Sequence, residues 1–98
     1  MSVALDPYVF DTLMPDLVGH DRQPSAFLVY LMLARRTHGV DRHRVTIAQQ
    51  DIAESCGVSK RTVQAALAHL RYRKLISVTQ AHSTSVPEYA VLRPWRRS

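Results

Sequence analysis

Arg61 and Gln64 are the residues of this chain whose types and spacing best suit hydrogen bonding to a base edge. Arginine can donate two hydrogen bonds to guanine, and the amide of glutamine can both donate to and accept from adenine. Ala65 follows directly and is small enough to contact a thymine methyl group. To read bases, these three side chains must be turned outward by an element whose other side packs against the protein.

Residues 50–70 supply such an element, because their pattern predicts two short helices joined by a tight turn. In the second helix, Val63, Leu67 and Leu70 recur at helical spacing and define the packed face. Ser59 stands where this helix should begin, and its hydroxyl can accept a hydrogen bond from a first-turn N–H. The opposite, outward face holds Lys60, Arg61, Gln64, Ala65, Ala68 and His69, with Arg71 and Tyr72 at one flank.

Contacts to a phosphate backbone are expected from the polar and cationic residues around this face. The predicted set is Thr46, Gln49, Ser59, Lys60, Thr62, His69, Arg71, Arg73 and Lys74. For Arg71, Arg73 and Lys74 a second interpretation is equally open, namely that these cations stabilise the negative end of the helix. For each residue taken alone, the alternative is a solvated surface position.

Residues 24–93 resemble the winged helix-turn-helix domain of bacterial regulators. The resemblance rests on Ala53, on Gly57 in the turn, and on the opening of the second helix, Ser59-Lys60-Arg61-Thr62-Val63. It implies binding to double-stranded DNA, with a recognition helix over about residues 59–73 in the major groove.

The residues after this helix extend the resemblance to the wing. Residues 75–78 resemble the strand that follows the recognition helix, and residues 89–92 resemble its hairpin partner. Ile76, Val78 and Gln80 alternate with Ser77 and Thr79, and residues 88–93 are expected to return with alternation, as the strands of a hairpin do. The polar loop between them would contact the DNA backbone through His82, Ser83 and Thr84.

The chain departs from the family pattern at two helix ends. Ala48 stands where Ser or Thr often caps the first helix of the motif, so this end is expected to be frayed or capped by Thr46. Lys74 stands where Gly commonly ends the recognition helix. Because Lys rarely adopts the left-handed conformation, the helix is expected to end differently here.

The predicted fold is mainly α-helical with a small β-hairpin, an α+β winged helix-turn-helix with three core helices. Residues 1–23 are expected to form an N-terminal helical extension, residues 24–93 the winged domain, and residues 94–98 a basic tail. Within the extension, apolar residues at a spacing of three to four predict a helix over 7–18 that is broken at Pro15.

The first core helix is predicted to run from Pro24 to the residues before Gly39. Its apolar residues surround it almost completely, so it must be covered on more than one side. One cover is the helix pair, and the second is either residues 7–18 or another subunit. This helix and the N-terminal extension are therefore where a homodimer contact is expected. The apolar run alone would also fit a buried strand.

Charge is divided unevenly along the chain, whose formal net charge is +5. Residues 1–24 contain four aspartates against one arginine, whereas residues 25–98 contain twelve Lys and Arg residues against four acids. The basic body favours a polyanionic partner such as nucleic acid. The acidic residues of the first segment are expected to be solubilising, or to mask the basic body: Asp6, Asp11, Asp16 and Asp21.

Several classes of protein are not favoured by the sequence. Cys56 is the only cysteine, so no internal disulfide forms, and the histidines have no zinc-site spacing. No phosphate-binding glycine loop or catalytic motif is present, so we expect neither an enzyme nor a cofactor. The longest apolar run, residues 26–34, is too short to span a membrane. A cytoplasmic protein with no membrane partner is expected.

The leading functional hypothesis is a sequence-specific regulator of transcription from a bacterium, phage or plasmid, acting on duplex DNA as a homodimer. A replication initiator or accessory factor of a plasmid or phage is the first alternative. A winged domain that binds another protein is the second, and its binding would depend little on salt, unlike phosphate neutralisation. The sequence does not identify an effector.

Overall fold

The computed structural model describes residues 6–37, 44–82 and 84–94, which form three α-helices and three short strands behind an N-terminal helical segment. The helices are α1 (Pro24–Thr37), α2 (Gln49–Cys56) and α3 (Lys60–Tyr72). The strands are β1 (Arg44–Thr46), β2 (Ile76–Thr79) and β3 (Glu88–Val91). This order confirms the predicted winged fold of three core helices with an N-terminal helical extension.

The N-terminal helix consists of two consecutive π-helical segments, Val9–Leu13 and Pro15–His20. Their turns are wider than those of an α-helix, and the Met14 N–H donates to the Val9 carbonyl, five residues back. Pro15 has no N–H with which to continue an α-helical ladder, but Met14 before it keeps helical angles (φ −62°, ψ −54°). The predicted break is therefore a junction between two wide-turn segments, and the backbone remains helical across it.

The N-terminal helix covers one side of α1. Its buried residues Val9, Leu13 and Leu17 follow one another at every fourth position and belong to the same core as α1. Helix α1 also contacts α2, α3 and β3, so it is enclosed on most of its circumference. The second cover that the sequence requires for α1 is therefore supplied by the same chain. Leu28 is the large apolar residue of α1 that stays exposed.

The wing is part of a three-stranded antiparallel sheet with the order β1-β3-β2. The predicted hairpin corresponds to β2 and β3, in which Val78 pairs with Tyr89. Strand β1 adds to the other edge of β3, where Val45 pairs with Tyr89. Beyond β1, the Ile47 N–H donates to the Pro87 carbonyl at 3.2 Å. The residues that lead into α2 are therefore bonded directly to the wing.

The turn between α2 and α3 depends on Gly57, which has the left-handed conformation (φ 69°, ψ 33°) that glycine adopts without steric cost. The N–H groups of Gly57 and Val58 both donate to the Ala53 carbonyl and close α2. Ser59 then caps α3, because its side chain accepts a hydrogen bond from the Thr62 N–H at 3.1 Å. This cap was predicted, and it is confirmed.

The start of α2 and the end of α3 carry the two residues that depart from the family pattern, Ala48 and Lys74. Helix α2 begins after Ala48 without a side-chain cap, and Thr46 lies in β1 rather than at the helix. Helix α3 ends at Lys74 in the left-handed conformation (φ 59°). The Lys74 N–H donates to Arg71 and the Leu75 N–H to Leu70, the pairing that usually forms around a glycine. The prediction that α3 ends differently because glycine is absent is therefore wrong.

A single hydrophobic core joins all these elements. Tyr30, Leu33, Ile52 and Leu70 are among its largest fully buried side chains. Thr37, at the end of α1, is also buried, and its hydroxyl donates to carbonyls of the preceding turn. Across the described ranges, no helix has both the length and the hydropathy needed to cross a membrane.

Candidate nucleic-acid interface

The two faces of α3 are separated as the helical spacing predicts. Val63, Leu67 and Leu70 are buried in the core and fix the rotation of the helix about its axis. The outward face carries five exposed residues: Lys60, Arg61, Gln64, Ala65 and Ala68. The structure therefore places the three predicted base-reading residues on one solvent-facing surface.

The first turn of α3 is electropositive. Lys60 and Arg61 are exposed there, no acidic residue lies in the turn, and the free N–H groups add the positive end of the helix dipole. The Ser59 hydroxyl donates to Thr62 Oγ1 at 2.9 Å while accepting the Thr62 N–H, so both side chains already take part in the cap. Ser59 stays exposed and Thr62 is half-buried.

Gln64 is held by a residue of the neighbouring helix. Gln64 Nε2 donates to Gln49 Oε1 at 3.1 Å, which links the middle of α3 to the first residue of α2. Behind Gln49 lies the hydroxyl of Tyr89, a residue of β3 that is 1% exposed. Burial raises the pKa of Tyr89, and the adjacent Gln49 amide opposes that effect. The hydroxyl itself makes no hydrogen bond of regular geometry within the described part of the chain.

The last turn of α3 is bonded to the N-terminal helix. His69 Nε2 lies 2.7 Å from Asp21 Oδ2, and Arg73 Nε lies 3.4 Å from the same oxygen. The guanidinium of Arg73 also contacts the Asp16 carboxylate, and His20 Nδ1 lies 2.9 Å from Asp21 Oδ1. The hydrogen bonds from His20 and His69 lower the pKa of Asp21, against a smaller opposing effect of burial. His69 and Arg73 therefore have partners within the protein.

From the sequence, the cations at the end of α3 have two possible roles, contact with a phosphate or stabilisation of the helix end. For His69 and Arg73, the observed partners favour a role in attaching the N-terminal helix over contact with a phosphate. Arg71 and Lys74 are exposed, and neither takes part in an ion pair found among residues 6–37, 44–82 and 84–94. They remain available to an external anion.

The wing lies beside α3 and leaves a cleft of about 190 Å³ between them. The cleft is lined by Gln49, Gln64, Leu67, Ala68, Arg71, Val78, Gln80, Pro87 and Tyr89. At the tip of the wing, His82 and Thr84 are exposed, whereas the predicted residue Ser83 lies outside the described residues. The basic tail beyond Pro94 also lies outside them. Thr46 is exposed at the end of β1, on the strand that leads to α2.

Two further groups could hold a ligand or react. The ligand atoms of Asp16, His20 and Asp21 lie within 4.8 Å of one another. Arg73 already contacts both carboxylates, and its positive charge opposes the binding of a cation. Burial raises the pKa of the half-buried Cys56 thiol and so favours its unreactive protonated form.

The partners of Gln49 and Asp21 were not predicted. The sequence predicts a phosphate contact for Gln49 from its place near the start of the first motif helix, and no pattern in the sequence connects it with Gln64. Asp21 and His69 are 48 residues apart, and no periodic pattern relates them. The signal in the sequence that points to the Asp21 contacts is the group of four aspartates in the N-terminal segment. Masking of the basic body is one of the two roles predicted for them.

The comparisons with known proteins agree with this geometry. The family model for the Crp-like helix-turn-helix domain matches residues 25–95. Searches of the curated proteins and of the solved structures each gave no match. The family match covers most of the chain, including α1, both helices of the motif and the whole sheet. It supports DNA binding as the general function, and the chain belongs to the Crp-like helix-turn-helix domain family.

Proposed function

We propose that this protein is a sequence-specific regulator of transcription in the cytoplasm of a bacterium, encoded by its chromosome, a phage or a plasmid. In this proposal α3 lies in the major groove of double-stranded DNA. The observation that carries the proposal is the outward face of α3, where Arg61 and Gln64 are exposed on a helix whose opposite face is fixed in the core.

Sequence is read by the exposed middle of this face. Arg61 donates to a guanine, the Gln64 amide pairs with an adenine, and Ala65 packs against a thymine methyl group. One helix of this kind contacts only a few base pairs, and each mismatched pair costs about 1–3 kcal/mol. Specific binding therefore requires two copies on a repeated or palindromic site.

Phosphates are bound by groups that surround the face. Lys60 and the hydroxyls of Ser59 and Thr62 lie at its start, and Arg71 and Lys74 lie at its end. Thr46 and the wing residues His82 and Thr84 supply further exposed donors, and Ser83 is proposed with them from sequence alone. His69 and Arg73 contribute less, because Asp16 and Asp21 already hold them.

A second copy is proposed to bind on the outer side of the N-terminal helix. Phe10, Met14 and Val18 are 45%, 42% and 38% exposed and follow one another at every fourth position. Their spacing places them on one face of the helix, and burial of such a face would stabilise a dimer. The mass in solution, measured by light scattering, tests this part independently of DNA.

Binding to DNA is tested by mobility shift on genomic fragments, followed by fluorescence anisotropy on selected duplexes at several salt concentrations. Binding should weaken steeply with salt, because each neutralised phosphate lowers the slope of log K against log salt by about 0.9. The variants Arg61→Ala and Gln64→Ala should reduce the preference for selected over random duplex.

Arg35→Ala is a matched control, because Arg35 is an exposed arginine at the last turn of α1, on a different element from α3. It removes the same charge and should leave the preference for selected duplex unchanged. Unchanged specificity in both Arg61→Ala and Gln64→Ala would show that α3 does not read bases. Salt-insensitive capture of a protein, without DNA binding, would favour an interaction module instead.

A further inference from the structure

Gln49 and Gln64 form a side-chain pair across the helix-turn-helix. The donor is Gln64 Nε2 and the acceptor is Gln49 Oε1, at 3.1 Å. Gln64 is exposed on the outward face of α3, whereas Gln49 is half-buried at the start of α2. The more exposed of the two side chains is thus bonded to the more buried one.

Gln49 is in turn supported from behind by β3. Its amide lies next to the hydroxyl of Tyr89, whose ring is buried in the core. The Gln49 side chain lowers the pKa of this phenol, against the larger raising effect of burial. The Oε1 atom of the same side chain accepts from Gln64. Gln49, Gln64 and Tyr89 thus line one cleft between the wing and α3.

The chemistry of a primary amide determines what the bound Gln64 can still do. The amide has two N–H donors and one oxygen acceptor. The bond to Gln49 uses one N–H, so one N–H and Oε1 remain. Adenine offers one acceptor, N7, and one donor, the N6 amino group, in the major groove, whereas guanine offers two acceptors. The remaining pair on Gln64 matches adenine and leaves one guanine acceptor facing an oxygen.

We propose that Gln49 is a positioning residue that fixes the Gln64 amide in the orientation that selects adenine over guanine at one base pair of the bound site. The inference rests on the proposed function, since it requires α3 in the major groove. It replaces the contact to a phosphate that the sequence suggested for Gln49.

Two variants of Gln49 separate this role from a structural one. Gln49→Met keeps the length of the side chain and removes the acceptor. Gln49→Glu keeps an acceptor for Gln64 Nε2 and adds a negative charge. The full chain and both variants, together with Gln64→Ala, are tested by selecting duplexes from a random library. The affinities for the selected site, with adenine or guanine at each position, are then measured by competition, and circular dichroism confirms that each variant is folded.

The wild type should prefer adenine over guanine at one position by roughly 10- to 100-fold, and Gln64→Ala should abolish this preference. Gln49→Met should reduce it at the same position by at least several-fold and leave the preferences at other positions unchanged. Gln49→Glu should keep the adenine preference while weakening binding to every duplex.

The inference is overturned if Gln49→Met keeps the full adenine preference. It is also overturned if this variant weakens all duplexes equally, which is the behaviour of a phosphate contact. In both cases the wild type still binds a preferred sequence, so the proposed function stands. If the wild type binds no duplex, or binds all sequences equally, the proposed function fails together with the inference.

Discussion

Replacing Lys74 should separate the stability of the protein from its affinity for DNA. Lys74 ends α3 in the left-handed conformation, with φ of 59°. A residue with a Cβ atom is strained there by about 1–2 kcal/mol, whereas glycine is not. Glycine also makes the unfolded chain more flexible, which costs about 0.4–1 kcal/mol. The comparison that isolates the backbone effect is Lys74→Gly against Lys74→Ala, because both variants lose the same charge.

Lys74→Gly should be more stable than Lys74→Ala by about 0.8 kcal/mol, the difference between the middle values of these two effects. For a domain of this size, that corresponds to a difference in Tm of roughly 2–8 °C. Urea unfolding and thermal unfolding, each followed by circular dichroism at pH 7, measure both quantities. Equal stability of the two variants would show that position 74 does not adopt the left-handed conformation in solution.

The same pair of variants tests the contribution of the side chain to DNA binding. If Lys74 contacts a phosphate, both variants should reduce the magnitude of the salt slope by about 0.9 relative to the wild type. The glycine variant would then be more stable than the alanine variant but no better at binding. A salt slope identical to that of the wild type would assign Lys74 to the protein surface alone.

Three further predictions concern the packing around α3. The pKa of the Asp21 carboxyl is lowered in the folded state. The carboxylate therefore stabilises the protein above its ordinary pKa of 3.8, and this contribution is lost as the pH falls through the lower folded pKa. Asp21→Asn should remove this contribution to the pH dependence of the free energy of unfolding. Urea unfolding between pH 7 and 3 measures this, and parallel profiles would contradict it. Leu17→Ala should lower the free energy of unfolding by about 2–5 kcal/mol, since Leu17 is fully buried. Leu28→Ala, at an exposed position, should lower it much less. Equal losses of the two variants in urea unfolding would exclude the observed packing of the N-terminal helix. Tyr89→Phe removes a buried hydroxyl without a regular hydrogen bond, so its free energy of unfolding should be unchanged or higher, and a large loss would reveal a partner for that hydroxyl.

The parts of the fold that the sequence predicts are those encoded by local periodicity. Val63, Leu67 and Leu70 define one face of a helix by spacing alone, and the structure buries all three. The pattern of residues 76–80 and 88–93 likewise predicts the two strands of the wing, although three consecutive residues of β3 are buried, Tyr89, Ala90 and Val91. The buried face fixes the rotation of α3 about its axis. The same pattern therefore predicts that the candidate base-reading residues are exposed.

The parts that were missed depend on contacts between distant segments. Residues 44–47 are β-prone in sequence, but the place of β1 at the edge of β3 depends on the rest of the sheet. The wide turns on either side of Pro15 correspond to no periodicity that the sequence shows. At Lys74, the bonds that close α3 outweigh the backbone preference of lysine. The conformational propensity of a single residue contains no information about its contacts with segments that are distant in sequence.

In the proposed complex with DNA, the pairing of β1 with the wing limits how far the hairpin can move relative to α2. Through β1 and the bond from Ile47 to Pro87, the residues before α2 are hydrogen-bonded to β3 and to the loop end of the hairpin. The hairpin cannot swing outward to follow a wider groove without separating these bonded strands. A site whose groove differs from the separation that these bonds set must itself bend or change width, at an energy set by the local stiffness of its sequence. Base pairs that no side chain touches can thereby influence which sites are occupied.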